Sequence, residues 1–202
     1  MNQNLIATKL PLAQAIKNVY HILPADNLNS VCFSGLFNRK AIIRKTHSDY
    51  SDQDVQKIRA QKQLGHYFLH DYVCTFINPQ NKMSYRYQKE NRNFVIIEFT
   101  TSTLNDYNWF LSKGNAACKT TSFFYKDENA IEIGLIKEIK SRNRGNYDLK
   151  MSEILFFTER ILPRYISKII LHPDSPLEPY YSLINRGFDI VHDTEYNYYC
   201  SI

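Results

Sequence analysis

The residues best suited to chemistry in this sequence lie together in the run SRNRGNYDLKM, at positions 141–151. Arg142 and Arg144 flank an asparagine, and Gly145 follows at once, between a run that predicts a strand and a run that predicts a helix. The first turn of a helix leaves backbone N–H groups unpaired and carries partial positive charge, which stabilises an anion. Glycine lets the backbone approach a ligand closely, and arginine adds charge-assisted hydrogen bonds. The run therefore predicts a pyrophosphate site, with a solvated turn as the alternative.

Hydrophobic periodicity predicts the elements that would position this run. Strands are predicted at 40–44, 94–99, 120–125, 130–139 and 167–172. Helices are predicted at 10–23, from Ser51 or Asp52 to Leu69, at 148–162 and at 176–186, the last ending at Gly187. This order predicts one mixed α/β domain of the α+β type over residues 29–202. Residues 1–28 would form a helical extension that serves as a cap, a homodimer contact or a partner-binding arm.

Charge and aromatic content limit the classes of partner. The formal net charge is +5 and is spread along the chain, whereas nucleic-acid binders cluster Lys and Arg on one face. We therefore expect a local anionic ligand and no nucleic-acid partner. The 15 Tyr and 12 Phe indicate either an aromatic core or a binding cleft lined by tyrosines.

Cysteine spacing and hydropathy indicate the compartment. The four cysteines are widely spaced and form neither a zinc pattern nor a disulfide framework; they are Cys32, Cys74, Cys118 and Cys200. No apolar run reaches the roughly 20 residues of a membrane helix, and no secretory signal peptide is visible. A cytoplasmic protein with reduced thiols, no metal and no membrane partner is expected, with non-classical secretion as the alternative.

The run at 142–147 resembles the acetyl-CoA signature of the GNAT superfamily of acyl-CoA-dependent N-acyltransferases, Q/R-x-x-G-x-G/A. The first basic residue and the first glycine match, but Tyr147 stands where the family has Gly or Ala. Downstream, YYSLINRGFDIV resembles the helix and Gly-Phe pair that precede the family's last strand, here Gly187 and Phe188. IIRKTHSDYSDQDVQKI resembles its first strand and helix. In element order the resemblance covers most of residues 40–202.

The resemblance implies a mixed, mostly antiparallel central sheet, flanked by helices, in which the fourth and fifth strands run parallel and splay apart. These strands would be 130–139 and 167–172, and acetyl-CoA, the co-substrate, would lie in the gap. The implied cofactor-binding residues are Leu135, Ile136, Lys137, Arg142, Asn143, Arg144, Gly145, Asn146 and Tyr147.

The resemblance also implies a general base and a general acid. Glu132 or Glu138 would deprotonate the amine, directly or through water. Tyr180 or Tyr181 would protonate the departing thiolate, although Leu183 stands where the family often has this tyrosine; water is the alternative. His172 is a further candidate at the end of its strand.

The predicted function is therefore transfer of an acetyl group from an acyl-CoA donor to a primary amine, on a small molecule or a protein, by direct attack. Two alternatives remain open. One is a degenerate relative that binds CoA or a nucleotide without catalysis. The other is an interaction protein whose tyrosine-rich surface contacts a partner or RNA.

Overall fold

The computed structural model describes residues 15–43, 45–126, 133–141 and 147–194. Its strands are β1 Val19–Pro24, β2 Leu36–Phe37, β3 Gln63–Leu64, β4 Tyr67–Phe68, β5 Val73–Phe76, β6 Phe94–Phe99, β7 Trp109–Ser112, β8 Phe123–Tyr125, β9 Glu153–Phe156, β10 Arg160–Ile161, β11 Ile166–Leu171 and β12 Ile190–His192. Its α-helices are α1 Leu28–Ser34, α2 Arg39–Ile42, α3 Gln53–Gln61, α4 Lys82–Lys89, α5 Thr101–Asp106, α6 Ile133–Lys140 and α7 Tyr181–Ile184. Short 3-10 turns occupy Ala25–Asn27, Leu69–Asp71, Leu149–Met151, Pro163–Tyr165 and Glu178–Tyr180.

One large sheet organises the described part of the chain. Its strand order is β12-β11-β6-β1-β5-β9-β7-β8. Neighbouring strands in it run antiparallel, except β11 and β12, which run parallel. The mixed α/β class with a mostly antiparallel sheet and flanking helices is thus confirmed. No helix in the described part is both long enough and apolar enough to cross a lipid bilayer.

Three elements confirm the predictions made from periodicity. The largely apolar runs at 94–99 and 167–172 form β6 and β11, which are neighbours in the large sheet. The helix predicted from Ser51 or Asp52 is α3, and the Asp52 carboxylate accepts hydrogen bonds from the first-turn N–H groups of Asp54 and Val55. The helix ends at Gln61, so its predicted extension to Leu69 is wrong.

The helix predicted at 148–162 is wrong. Residues 153–156 form β9, which lies between β5 and β7, and all four of its side chains are buried. Apart from Glu153, this central strand is apolar at every position because both of its faces are covered, so it shows no alternation and resembles a helix stripe. The strand predicted at 130–139 from the residue pattern is also wrong, because 133–140 form α6, with Ile136 and Ile139 buried at helical spacing.

The implied pair of splayed parallel strands is therefore absent from the described residues, since one member is a helix. The strand predicted at 40–44 overlaps helix α2. Of the helix predicted at 10–23, residues 19–23 form β1, which lies between β5 and β6. Residues 1–14 lie outside the described part, and the division of the chain at residue 28 stays a prediction.

Candidate active site

A cavity lies beside the middle of the large sheet, where β1 and β5 pair at a single position, Tyr20 opposite Phe76. Residues of β1, α1, β2, α2, α3, β5 and β9 line it, together with the segment 45–51. Because these elements come from both halves of the sequence, only the folded chain assembles the cavity.

An ion pair between Arg59 and Glu153 forms part of the cavity wall. The guanidinium donates two hydrogen bonds to the carboxylate, from Nη1 to Oε1 at 3.0 Å and from Nη2 to Oε2 at 2.9 Å. Glu153 Oε1 also accepts the backbone N–H of Ala116 at 3.0 Å. Arg59 is 8% exposed and Glu153 is 2% exposed. This two-bond geometry is the arrangement that compensates best for removing both charges from water.

Neighbouring elements position the pair. Glu153 is the first residue of β9 and lies opposite Phe76 of β5, and its backbone N–H donates to Ser112 Oγ at 2.9 Å. Arg59 lies in the last turn of α3, whose start is capped by Asp52. A helix therefore positions Arg59 and a central strand positions Glu153, and both elements are rigid supports for a site.

Cys74 of β5 completes this polar cluster. Arg59 Nη2 donates to its Sγ at 2.7 Å. Burial raises the pKa of the Cys74 thiol to about 12, although the charge of Arg59 opposes this. Burial acts against the charge on Arg59, yet interactions with Cys74 and Glu153 raise its pKa above the ordinary value. Arg59 is thus a permanent cation and Cys74 a neutral thiol.

His21 of β1 links this strand to β5 through a side-chain hydrogen bond. Its Nδ1 lies 2.9 Å from the backbone carbonyl oxygen of Cys74, so Nδ1 carries the proton and donates it. Burial lowers the pKa of His21, while the hydrogen bond to Cys74 and the charge of Glu153 oppose the decrease. The neutral ring therefore keeps an acceptor lone pair on Nε2, and His21 is one of the residues that line the cavity.

The other end of the cavity is aromatic. Tyr50 and Tyr87 meet edge to face with ring centroids 5.6 Å apart, and Phe76 and Met83 line the same region. Tyr87 also packs edge to face on Phe94 at 5.7 Å. A flat, apolar ring of a ligand would pack well against this surface.

Arg39 lies on the cavity wall, on α2. Its Nη2 donates to Asp49 at 2.6 Å, and Nη1 lies 3.4 Å from His47 Nε2. Burial would raise the pKa of Asp49, but hydrogen bonds from Ser51 and Arg39 hold it at about 2. Arg39 Nε is buried without a hydrogen-bond partner among the described residues. This N–H is a donor to which a bound ligand could supply the missing acceptor.

The residues predicted from the GNAT resemblance lie elsewhere or outside the described part. None of those described lines the cavity. Leu135, Ile136, Lys137 and Glu138 lie on α6, Tyr147 is exposed, Tyr180 is half-buried and Tyr181 is exposed on α7. Glu132 and Arg142, Asn143, Arg144, Gly145 and Asn146 lie outside the described residues, so a ligand role for the run at 142–147 stays a prediction.

Sequence reasoning missed Arg59, Glu153 and His21. One signal was present: Glu153 stands directly before the apolar run ILFF, an unusual place for a carboxylate unless it is paired. Arg59 gave no signal, because arginine is ordinary on an exposed helix.

Comparisons with known proteins give the family. The family model described as "ssDNA thymidine ADP-ribosyltransferase, DarT" matches residues 20–199. The structure of Thermosipho africanus DarTG in complex with ADP-ribose superposes with a TM-score of 0.76 at 22% identity, over 88% of this chain and 50% of that chain. This chain therefore spans about half the length of that relative. No curated protein matches.

Two structures of Thermus sp. 2.9 DarT are also similar. The complex with ADP-ribosylated ssDNA has a TM-score of 0.71 at 13% identity and covers 87% of this chain and 93% of that chain. The complex with NAD+ has a TM-score of 0.67 at 13% identity and covers 87% of this chain and 94% of that chain. At these identities the likeness establishes the fold.

Because the family model spans most of the sequence, this chain belongs to the DarT family. The predictions of a GNAT member, an acyl-CoA-dependent N-acyltransferase and acetyl-CoA as co-substrate are therefore wrong. The related structures hold NAD+ or ADP-ribose. The predictions of an acyl-CoA donor and an amine acceptor depended on the GNAT assignment and are wrong for the same reason. The expectation of no nucleic-acid partner is also wrong, because the family is described by its action on ssDNA.

Proposed function

We propose that this member of the DarT family takes ADP-ribose from NAD+ and attaches it to a thymidine of single-stranded DNA. The family description names this activity, and Thermus sp. 2.9 DarT binds NAD+ and ADP-ribosylated ssDNA. Within this chain, the observation that carries the proposal is the buried Arg59–Glu153 pair on the cavity wall, with neutral His21 beside it.

The reaction requires a fixed negative charge. Breaking the bond between the nicotinamide nitrogen and the ribose leaves positive charge on the sugar, and the one ring N–H of a thymine in DNA must lose its proton before the nitrogen attacks. A carboxylate held in place can stabilise that charge and accept that proton. Glu153 is a buried carboxylate on the cavity wall that is held in this way.

Glu153 keeps capacity for a substrate despite its three hydrogen bonds. Its Oε1 accepts from Arg59 and Ala116, and its Oε2 accepts from Arg59. A carboxylate has about four lone-pair positions, so one on Oε2 is left for the substrate. Arg59 orients the carboxylate through two hydrogen bonds, which makes Arg59 a positioning residue.

His21 and Arg39 suit the polar parts of NAD+. The lone pair on His21 Nε2 can accept a hydrogen bond from a ribose hydroxyl, because Nδ1 is committed to the Cys74 carbonyl. The buried Nε–H of Arg39 can donate to a phosphate oxygen. Burial and then the charges of Arg59 and Arg39 lower the pKa of His70, while Asp71 opposes the decrease. These two cations near His70 are suited to an anionic ligand.

The direct test is transfer to a defined oligonucleotide. The protein is incubated with NAD+ and a thymidine-containing single strand, and mass spectrometry measures the gain of one ADP-ribose. We expect transfer by the wild type and none to the same strand with deoxycytidine at every thymidine position. Glu153→Gln should lower the rate by about 100-fold or more, the usual contribution of a general base.

Glu178→Gln is the matched control, since it neutralises an exposed carboxylate outside the cavity. Its rate should equal that of the wild type. Transfer by Glu153→Gln at the wild-type rate, or no consumption of NAD+ by the wild type with any thymidine strand, would contradict the proposal.

A further inference from the structure

Two exposed aromatic side chains lie next to the cavity. Tyr67 of β4 and Phe157, directly after β9, have ring centroids 4.3 Å apart and are 45% and 40% exposed. Phe157 also contacts Tyr72, with centroids 5.6 Å apart, and Tyr72 lines the cavity. A series of aromatic contacts therefore connects the cavity wall to two solvent-exposed rings.

A second cluster combines positive charge with an aromatic ring. Lys45 Nζ lies 3.6 Å from the centroid of the Phe37 ring, and the Arg160 guanidinium lies 5.7 Å from it. Phe37 and Lys45 line the same cavity. Within the described residues, no carboxylate lies within 4.0 Å of either cation. Both charges are therefore available to an anion.

The loop at 157–160 joins the two clusters. It begins with Phe157 and ends with Arg160, which pairs with Phe37 across β10 and β2. Asn38 holds the loop: its backbone N–H donates to the Glu159 carbonyl at 2.8 Å, and its side-chain amide donates to the Thr158 carbonyl at 3.2 Å. The same amide donates to the Asp71 carbonyl at 3.0 Å, next to Tyr72. The two clusters thus form one surface along the cavity.

We propose that this surface, formed by Tyr67, Phe157, Phe37, Arg160 and Lys45, holds the single strand on which the target thymidine lies. The inference rests on the proposed function. Bases beside the target stack on Tyr67 and Phe157, and phosphates contact Lys45 and Arg160. Stacking on aromatic rings combined with a line of cations is how proteins hold single strands without base-specific hydrogen bonds.

Charge and continuity favour ssDNA over a protein as the occupant. The cations need an anionic partner, and a strand whose thymidine enters the cavity must pass over its border. Glu159 and Asp71 add negative charge nearby, but Lys40 pairs with Asp71 at 2.6 Å. A surface that served a protein partner instead would leave ssDNA affinity unchanged when its rings are removed.

The test is equilibrium binding of a fluorescent thymidine-containing single strand, measured by anisotropy without NAD+ so that no transfer occurs. The double variant Tyr67→Leu/Phe157→Leu keeps apolar volume but removes both rings, and we expect about tenfold weaker binding. Tyr67→Phe keeps the ring and should retain wild-type affinity. Lys45→Ala/Arg160→Ala should reduce the slope of log Kd against log salt by about 1.4, from about 0.7 per phosphate contact on a single strand.

Two variants control for general effects. Tyr85→Leu removes an equally exposed ring on α4, and Lys57→Ala removes one surface charge on α3. Neither should change the affinity by more than about twofold, and circular dichroism verifies that every variant is folded.

Separate results overturn the two proposals. If the wild type transfers ADP-ribose and the ring and cation variants bind ssDNA like the wild type, the surface is wrong and the function stands. If the wild type binds ssDNA through these residues but neither binds nor consumes NAD+, the function is wrong and the surface stands. No binding of ssDNA by the wild type refutes the surface.

Discussion

Replacing Arg59 by methionine tests how the buried ion pair contributes to stability. Methionine keeps an unbranched side chain of comparable length. It removes the two hydrogen bonds to Glu153 and the one to Cys74 Sγ. The Glu153 carboxylate, 2% exposed, would keep the hydrogen bond from the backbone N–H of Ala116 but would lose its cationic partner. An uncompensated buried charge is the outcome.

The expected loss follows from this geometry. Removing one partner of a buried pair typically costs about 3–5 kcal/mol. For a chain of this length, each kcal/mol lowers Tm by about 2–4 °C, so Tm should fall by roughly 6–20 °C. Total stabilities are about 5–15 kcal/mol. The variant should therefore still fold at 25 °C, with a reduced midpoint.

Urea denaturation followed by tryptophan fluorescence measures the loss. Trp109 is the one tryptophan of the chain, is 1% exposed and pairs with Phe156 of β9, so its emission reports unfolding of the sheet that carries Glu153. The slope of the free energy of unfolding against urea should stay unchanged, since the same surface is exposed.

The double variant Arg59→Met/Glu153→Gln separates the charge from the packing. It removes the unpaired charge, so it should be more stable than Arg59→Met alone. Lys57→Met, which breaks the exposed pair with Asp54, should cost less than about 1 kcal/mol. A loss below about 1 kcal/mol for Arg59→Met, or a double variant no more stable than that single variant, would refute the reasoning.

Three further predictions concern stability. The folded pKa of His21 lies below its unfolded value of 6.5, so the unfolded chain binds more protons and stability falls as pH drops below about 6.5. In urea titrations, His21→Gln should therefore lose less free energy of unfolding between pH 7.5 and 5.5 than the wild type. Gly35→Ala should cost more than about 2 kcal/mol, because φ is +95° and the added Cβ would lie 2.5 Å from the Ile161 carbonyl oxygen. Gly134 has open space around it on α6, so Gly134→Ala should increase the free energy of unfolding by up to about 1 kcal/mol in the same assay. Asp52→Ala should cost about 1 kcal/mol in thermal denaturation by removing the cap of α3, and an unchanged Tm would contradict this.

Local sequence patterns correctly predicted the elements that are determined by residues close together in the chain. The strand β6 begins with four consecutive apolar residues, 94–97, and α3 follows an aspartate that caps its first turn. Gly187 has φ +89°, as expected of a glycine at the end of a short helix. These features depend on residues within a few positions of one another, so the sequence alone contains them.

Distant contacts decided the rest. The run at 153–156 is a strand because β5 and β7 cover both of its edges, and the run at 133–140 is a helix although its apolar residues also fit a strand. An apolar run lowers its free energy by burial in either conformation, so its neighbours select between them.

The candidate site depended still more on the tertiary structure. Arg59 and Glu153 are 94 residues apart, and His21 and Cys74 are 53 apart. Their residue types are fixed by the sequence, but a charge becomes a site only when burial removes water and a partner fixes its geometry. The sheet brings β1, β5 and β9 together around one cavity, and this arrangement both buries the charges and places each beside its partner.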